Sequence, residues 1–300
     1  MAKRLDTSQK INTRFGRVDV YAAGNPGGER VLVVPGYSEG IVHNRKLVDE
    51  LGKLGMFAAT LSQPRKSRRR VVGGPKRDAL ERQADVLVTM VDRLPTGVQV
   101  TAVGHSNGTP AVLKAAQARP YRFKNLIVEE PVGFGHRQGR FEQVFRVGKK
   151  IVRNQWRALF GQGQDERPSP GHIASPDKES PLAYSWRVGR AQLAAGPLLA
   201  RNPIVSLQEA SAAGGYDATA DLELVSKLGI PVHVVGAHSD ELFDRSELTE
   251  AIMPEGKEFL APISYAANRQ AGHDTVWMQP KLHAHIIGCV VGPWVTKSLR

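Results

Sequence analysis

The sequence predicts an open, doubly wound, mostly parallel α/β sheet with helices on both faces and one helical insertion. Short, continuous apolar runs ended by Gly or Pro mark strands buried on both faces, and helix-period segments stand between them. One long interval holds no such run. Parallel neighbours cannot be joined by a tight turn, so the alternation implies crossover helices covering the sheet on both sides.

The elements follow in order. A hairpin is expected over Phe15 to Ala22, and Val31-Leu32-Val33-Val34, stopped by Pro35-Gly36, is the first buried strand. Similar runs recur at Met56 to Leu61, Val98 to Val103, Leu126 to Val128, Val232 to Val235 and, less cleanly, Phe259 to Ile263. Helical periodicity occupies Val42 to Leu54, Lys76 to Leu94, Thr109 to Ala118, Leu222 to Leu228, Ser246 to Ile252 and Val276 to Val291. No internal repeat is evident. From Val132 to about Val205 the chain has helical periodicity and a Gly/Pro/Ser-rich stretch around Gly161 to Pro181, but no convincing strand. The expected organisation is therefore a core in two parts, 1–131 and 206–300, interrupted by an insertion over 132–205.

Composition agrees with a globular chain. Three hundred residues at 41% hydrophobic and 23% charged exclude a disordered or fibrous protein and suffice for a full core. The formal charge of +12 favours anionic partners without making a nucleic-acid binder. Twelve Lys and Arg against five Asp and Glu place +7 of it in the insertion. Cys289, the single cysteine, can form no internal disulfide and offers no pair for a cysteine zinc site; its apolar neighbours Ile286, Ile287, Val290 and Val291 suggest core packing. Met1 to Lys10 lacks the apolar segment of a secretory signal, and no run approaches the ~20 apolar residues that span a bilayer. A soluble, cytoplasmic protein is the expectation.

The chemistry is concentrated at Gly104-His105-Ser106-Asn107-Gly108, which follows the strand Val98 to Val103 and precedes a helix, the context that the G-x-S-x-G pattern requires. A strand turning sharply into a helix strains its middle residue, and small residues two before and two after let the chains pass closely. A serine hydroxyl is a weak nucleophile that needs a base, usually an imidazole held by a carboxylate. Gly236-Ala237-His238-Ser239-Asp240 follows the strand Val232 to Val235, which puts Asp240 in a loop at a carboxyl edge where catalytic groups gather. Gln270-Ala271-Gly272-His273 follows the next strand and puts His273 at the same edge. Asp240 is the expected acid and His273 the expected base.

These residues, in this chain order, resemble the α/β-hydrolase superfamily. The correspondence includes the opening hairpin around Phe15-Gly16, the Pro35-Gly36-Tyr37 turn, the Ser106 elbow, Gly236-x-x-Asp240-x-x-Phe243, and Gly272-His273 followed by Pro280. The resemblance implies an oxyanion hole built from the backbone amides of Tyr37 and Asn107, each donor being worth ~3 kcal/mol in comparable sites. Pro35 stands where relatives commonly have a histidine. The resemblance further implies hydrolysis of an acyl substrate, foremost a carboxylic ester, with no cofactor and no metal. Thioester, lactone or amide hydrolysis, acyl transfer, C–C cleavage and peroxidase-like chemistry use the same triad. Serine at the elbow removes relatives that use aspartate or cysteine there.

Other residues compete for roles. Glu129 and Glu130 end the strand Leu126 to Val128, where some relatives place the acid, or they pair with arginines of the insertion. His105 reads as a packed, hydrogen-bonded histidine; His283 and His285, two apart on the last helix, face different directions and make a poor metal pair. Asp244 reads as surface. Trp156, Trp186 and His238 are expected to line a substrate pocket, the two tryptophans being equally readable as insertion core. The stripe from Phe141 to Phe160, interleaved with Arg146, Lys149, Lys150, Arg153 and Arg157, is a basic amphipathic helix. It packs over the pocket as a cap, or meets an anionic membrane surface. Arg65, Lys66 and Arg68 to Arg70 read as a solvated loop, and no nucleic-acid module accompanies them. A binding module that has lost catalysis is the alternative of a different class.

Overall fold

A computed structural model describes residues 5–36, 39–62, 79–134, 149, 212–213, 215–237, 245–252, 262–268 and 279–292. The strands are β1 (Leu5–Thr13), β2 (Gly16–Gly24), β3 (Arg30–Val34), β4 (Phe57–Leu61), β5 (Val100–His105), β6 (Phe123–Glu129), β7 (Val232–Ala237) and β8 (Ile263–Asn268). They form one sheet in the order β1-β2-β4-β3-β5-β6-β7-β8. β1 with β2 and β2 with β4 run antiparallel, and every later pair is parallel. The helices are α1 (Ile41–Lys53), α2 (Ala79–Val91), α3 (Gly108–Ala118), α4 (Ala218–Lys227), α5 (Arg245–Ile252) and α6 (Pro280–Val291). This is the doubly wound architecture that the alternation predicts. None of these helices is long and apolar enough to cross a membrane.

The pleat explains why the strands carry continuous apolar runs. Successive residues point to opposite faces, so a sheet covered twice needs apolar side chains at every position. Val31, Val33, Val103, Ile127 and Val235 join Leu47, Val48 and Leu51 of α1 and Ala284 and Ile287 of α6 in one core layer. Their neighbours Leu32, Val34, Ala102, Leu126, Val128 and Val234 join residues of α2, α3 and α4 in the other.

Three expectations change. The hairpin turns at Arg14-Phe15 and reaches back to Leu5: Gly16, at φ 116, closes the turn in a conformation that favours glycine. β1 escapes an apolar pattern because Thr7, Ser8, Gln9, Lys10 and Asn12 are polar at an edge of the sheet. β8 begins at Ile263, where the apolar run Phe259 to Ile263 ends. Cys289 is exposed, not core: α6 buries Pro280, His283, Ala284, Ile287, Gly288 and Val291, a stripe of helical period that leaves Cys289 on the outer side.

Candidate active site

β5 is buried along its whole length and delivers Ser106 at its carboxyl end. Ser106 has φ 49, the left-handed region that a residue with a Cβ enters only at a cost of ~1 kcal/mol or more. Two backbone hydrogen bonds hold it there. Ser106 N–H donates to the Glu129 carbonyl at 2.9 Å, and Thr109 N–H donates to the Ser106 carbonyl at 2.9 Å. The flanking glycines are a steric necessity: a Cβ on Gly104 would stand 2.7 Å from the Gly108 carbonyl oxygen, and one on Gly108 would stand 2.5 Å from the Val34 carbonyl oxygen. The strained serine and the close crossing are the geometry that G-x-S-x-G predicts. Asn107 follows as the residue heading α3, where backbone amides favour negative charge.

Beneath the elbow lies a buried group of charges. His105 is buried; its Nε2 is 2.9 Å from Glu130 Oε2. Its Nδ1 is 2.7 Å from Glu39 Oε1, so this nitrogen too faces a carboxylate. Glu39 turns its other oxygen to Gly36: Gly36 N–H donates to Oε2 at 2.8 Å, and Asn44 Nδ2 donates to the same oxygen at 3.3 Å. A neutral imidazole has one N–H and would turn a lone pair toward one of two carboxylates, so the arrangement favours imidazolium. Burial alone would lower the pKa of His105, but the charge of Glu39 and the hydrogen bond with Glu130 carry it well above the ordinary range. For Glu39, burial acts upward and is outweighed by the charge and hydrogen bond of His105, leaving the carboxyl at about 2.

A second pair sits beside the first. His283 of α6 and Glu129 at the end of β6 are both fully buried, with Nδ1 2.8 Å from Oε1. Burial pushes His283 down, and the charge and hydrogen bond of Glu129 more than reverse it. Among the described residues, neither Nε2 of His283 nor Oε2 of Glu129 has a hydrogen-bond partner. Among the described residues Glu129 and Glu130 thus engage histidines; the arginines of the insertion that the sequence also allowed lie outside them.

Known structures share this fold. No family model and no curated protein matches the chain. Among solved structures, a hydrolase of E-2-(acetamidomethylene)succinate is similar over 94% of this chain and 98% of its own, with a TM-score of 0.65 and 13% identity. A thermophilic esterase from Thermogutta terrifontis covers 94% of this chain and 96% of its own at a TM-score of 0.61 and 17% identity. A hydrolase from Pseudomonas aeruginosa covers 95% and 98% at a TM-score of 0.65 and 14% identity. The chain has the α/β-hydrolase fold. At such identities the likeness carries the fold alone.

Within the hydrolase fold the structure places some of the expected residues. Ser106 and Asn107 stand at the elbow. Tyr37, Asp240, His273, Trp156, Trp186, His238 and Asp244 lie outside the described residues, as do the basic loop at 65–70 and the basic helix of 141–160 except Lys149, which is exposed. His283 is buried and His285 exposed, so the two do face apart. Glu39 is the site residue that sequence reasoning missed. A glutamate three residues after a glycine, in front of a helix, carries no signal of the histidine it meets 66 positions later.

Proposed function

We propose that the protein is a serine hydrolase that cleaves a carboxylic ester through an acyl-enzyme. Ser106 Oγ attacks the acyl carbon while His273 takes its proton, and Asp240 orients His273. The amides of Tyr37 and Asn107 stabilise the oxyanion, the alcohol leaves with the proton from His273, and water activated by the same imidazole releases the acid. Trp156, Trp186 and His238 line the acyl pocket, the basic insertion serves as cap, and the partner is a small acyl compound met in the cytoplasm.

The strained Ser106 elbow carries this reading, because that strain is expected where a hydroxyl is presented for chemistry. Register supports the other two roles. His105 pairs with Glu129, Glu129 with Val235, and Ala237 with Asn268, so β5 to β8 end nearly level at one edge. Strands ~4.8 Å apart put β8 roughly 14 Å from β5. Five residues from Asn268 to His273 span up to roughly 17 Å, and three from Ala237 to Asp240 up to roughly 10 Å, so both can reach the elbow region. Solved structures of the same fold described as an esterase and as hydrolases support the class of reaction.

The test is labelling with a fluorophosphonate and hydrolysis of short and long p-nitrophenyl esters. Wild type is expected to label and to turn over at least one ester. Ser106→Ala is expected to lose the label and about 10³-fold or more in kcat. A wild-type protein that neither labels nor turns over any ester would instead favour the binding module.

A further inference from the structure

Gly36 rests directly on the elbow: a Cβ added to it would lie 3.1 Å from both Ser106 Cβ and His105 Nδ1. Its N–H is held by Glu39 Oε2 at 2.8 Å, while Glu39 N–H donates to the Gly36 carbonyl at 3.3 Å. The Glu39 carboxylate therefore grips the chain end of β3 with one oxygen and faces the elbow histidine with the other, 2.7 Å from Nδ1. The far side of that histidine is set by Glu130 at 2.9 Å. Glu130 itself has φ 48, off the extended path of β6, and this turn departs from the strand alternation that sends Glu129 to His283. Four points of the edge are thus joined in one chain of contacts: Gly36, Glu39, His105 and Glu130.

We propose that Glu39, braced through His105 against Glu130, is a positioning residue of the reaction that fixes the backbone at Gly36 relative to the Ser106 nucleophile. The inference rests on the serine-hydrolase reading, in which the amide next after Gly36, that of Tyr37, faces the oxyanion. Oxyanion donors act through fixed position, so a displacement of a few tenths of an ångström weakens the transition state while leaving ground-state binding nearly intact. Electrostatics alone predicts the opposite sign. A carboxylate beneath a developing anion is unfavourable, and removing it without disturbing geometry would strengthen oxyanion binding.

The experiment compares Glu39→Ala and Glu39→Gln with wild type, using the p-nitrophenyl ester that wild type prefers and a trifluoromethyl ketone of the same acyl chain. In the ketone adduct Ser106 Oγ bonds to the carbonyl carbon and its proton passes to the base, leaving an oxyanion in place. Glu39→Ala is expected to lower kcat by about 100-fold, the scale of one oxyanion donor, with KM within about threefold, and to weaken the ketone in the same proportion. Glu39→Gln, which keeps an acceptor for Gly36 N–H, is expected to lose roughly tenfold in both. A merely structural role would lower the melting temperature without weakening the ketone in the folded protein. If Glu39→Ala fails to fold, Glu130→Gln carries the same readout from the far side of His105, with a smaller loss expected. Folded variants with unchanged or tighter ketone affinity would overturn the inference. If wild type itself is neither labelled at Ser106 nor active, the functional reading fails first; an active, labelled wild type with ketone-insensitive variants sinks this inference alone.

Discussion

Glu129 and Glu130 are chain neighbours at the end of one strand, yet they end in different circumstances. Glu130, turned aside at φ 48, meets a histidine whose two nitrogens each face a carboxylate. Among the described residues Glu129 meets His283 through a single contact, and the second oxygen of one and the second nitrogen of the other are buried without a hydrogen-bond partner. The first group ties together pieces of the elbow and the end of β3. The second ties α6 to the sheet. A buried pair is poor at raising stability but severe when broken, because removing one member leaves the other buried alone.

The largest effect should come from breaking the second pair on one side only. His283→Ala is expected to cost about 3–5 kcal/mol, read as the urea midpoint and slope, since Glu129 would stay fully buried without the partner it now has. Replacing both members, Glu129→Leu with His283→Leu, should recover most of that loss; a double variant as unstable as the single one would mean that the pair contributes more than mutual neutralisation.

A smaller effect is expected from pH, and its sign is fixed by the directions of the shifts. His105 and His283 have raised values in the folded protein, so their contribution is fully present below pH 6.5 and is lost as pH rises above it. Glu39 is depressed from 4.5 to about 2, so its contribution is present above pH 4.5 and is lost between there and about 2. Denaturant midpoints measured from pH 3 to 9 should therefore fall on both sides. The alkaline fall should be shallower in the Glu129→Leu, His283→Leu protein; an unchanged slope would show that His283 titrates alike folded and unfolded.

The smallest expected change serves as the control. Cys289→Ser, on the outer side of α6 six residues after His283, should stay within about 0.5 kcal/mol of wild type by the same denaturation, and the wild-type thiol should react with a maleimide in the folded protein. A loss approaching that of His283→Ala would mean that the outer side of α6 is covered.

Much of this molecule was readable from its residues, and the reasons are local. Val31 to Val34 are apolar at every position, and Val100 to Val103 at every position but Thr101, because two helical layers cover the sheet, and Gly104 and Gly108 are small because carbonyl oxygens of Gly108 and Val34 leave no room. What escaped was set by distant partners. β1 is polar because it borders the sheet, Cys289 sits among apolar letters yet on the wrong side of its helix, and Glu39 finds a histidine far along the chain. Periodicity reports burial within an element; it is silent on which side chains converge from different ones.

The outer rank of polar letters in β1 has a practical meaning. β2 behind it carries Val18 and five successive buried residues from Val20 to Gly24, and its ladder toward β1 is satisfied residue by residue from Leu5 to Thr13. A shortened form beginning at residue 14 would bare that ladder beside an apolar strand, inviting one molecule to borrow a strand from another. Fusion partners and purification handles at the amino end should therefore leave Leu5 onward intact.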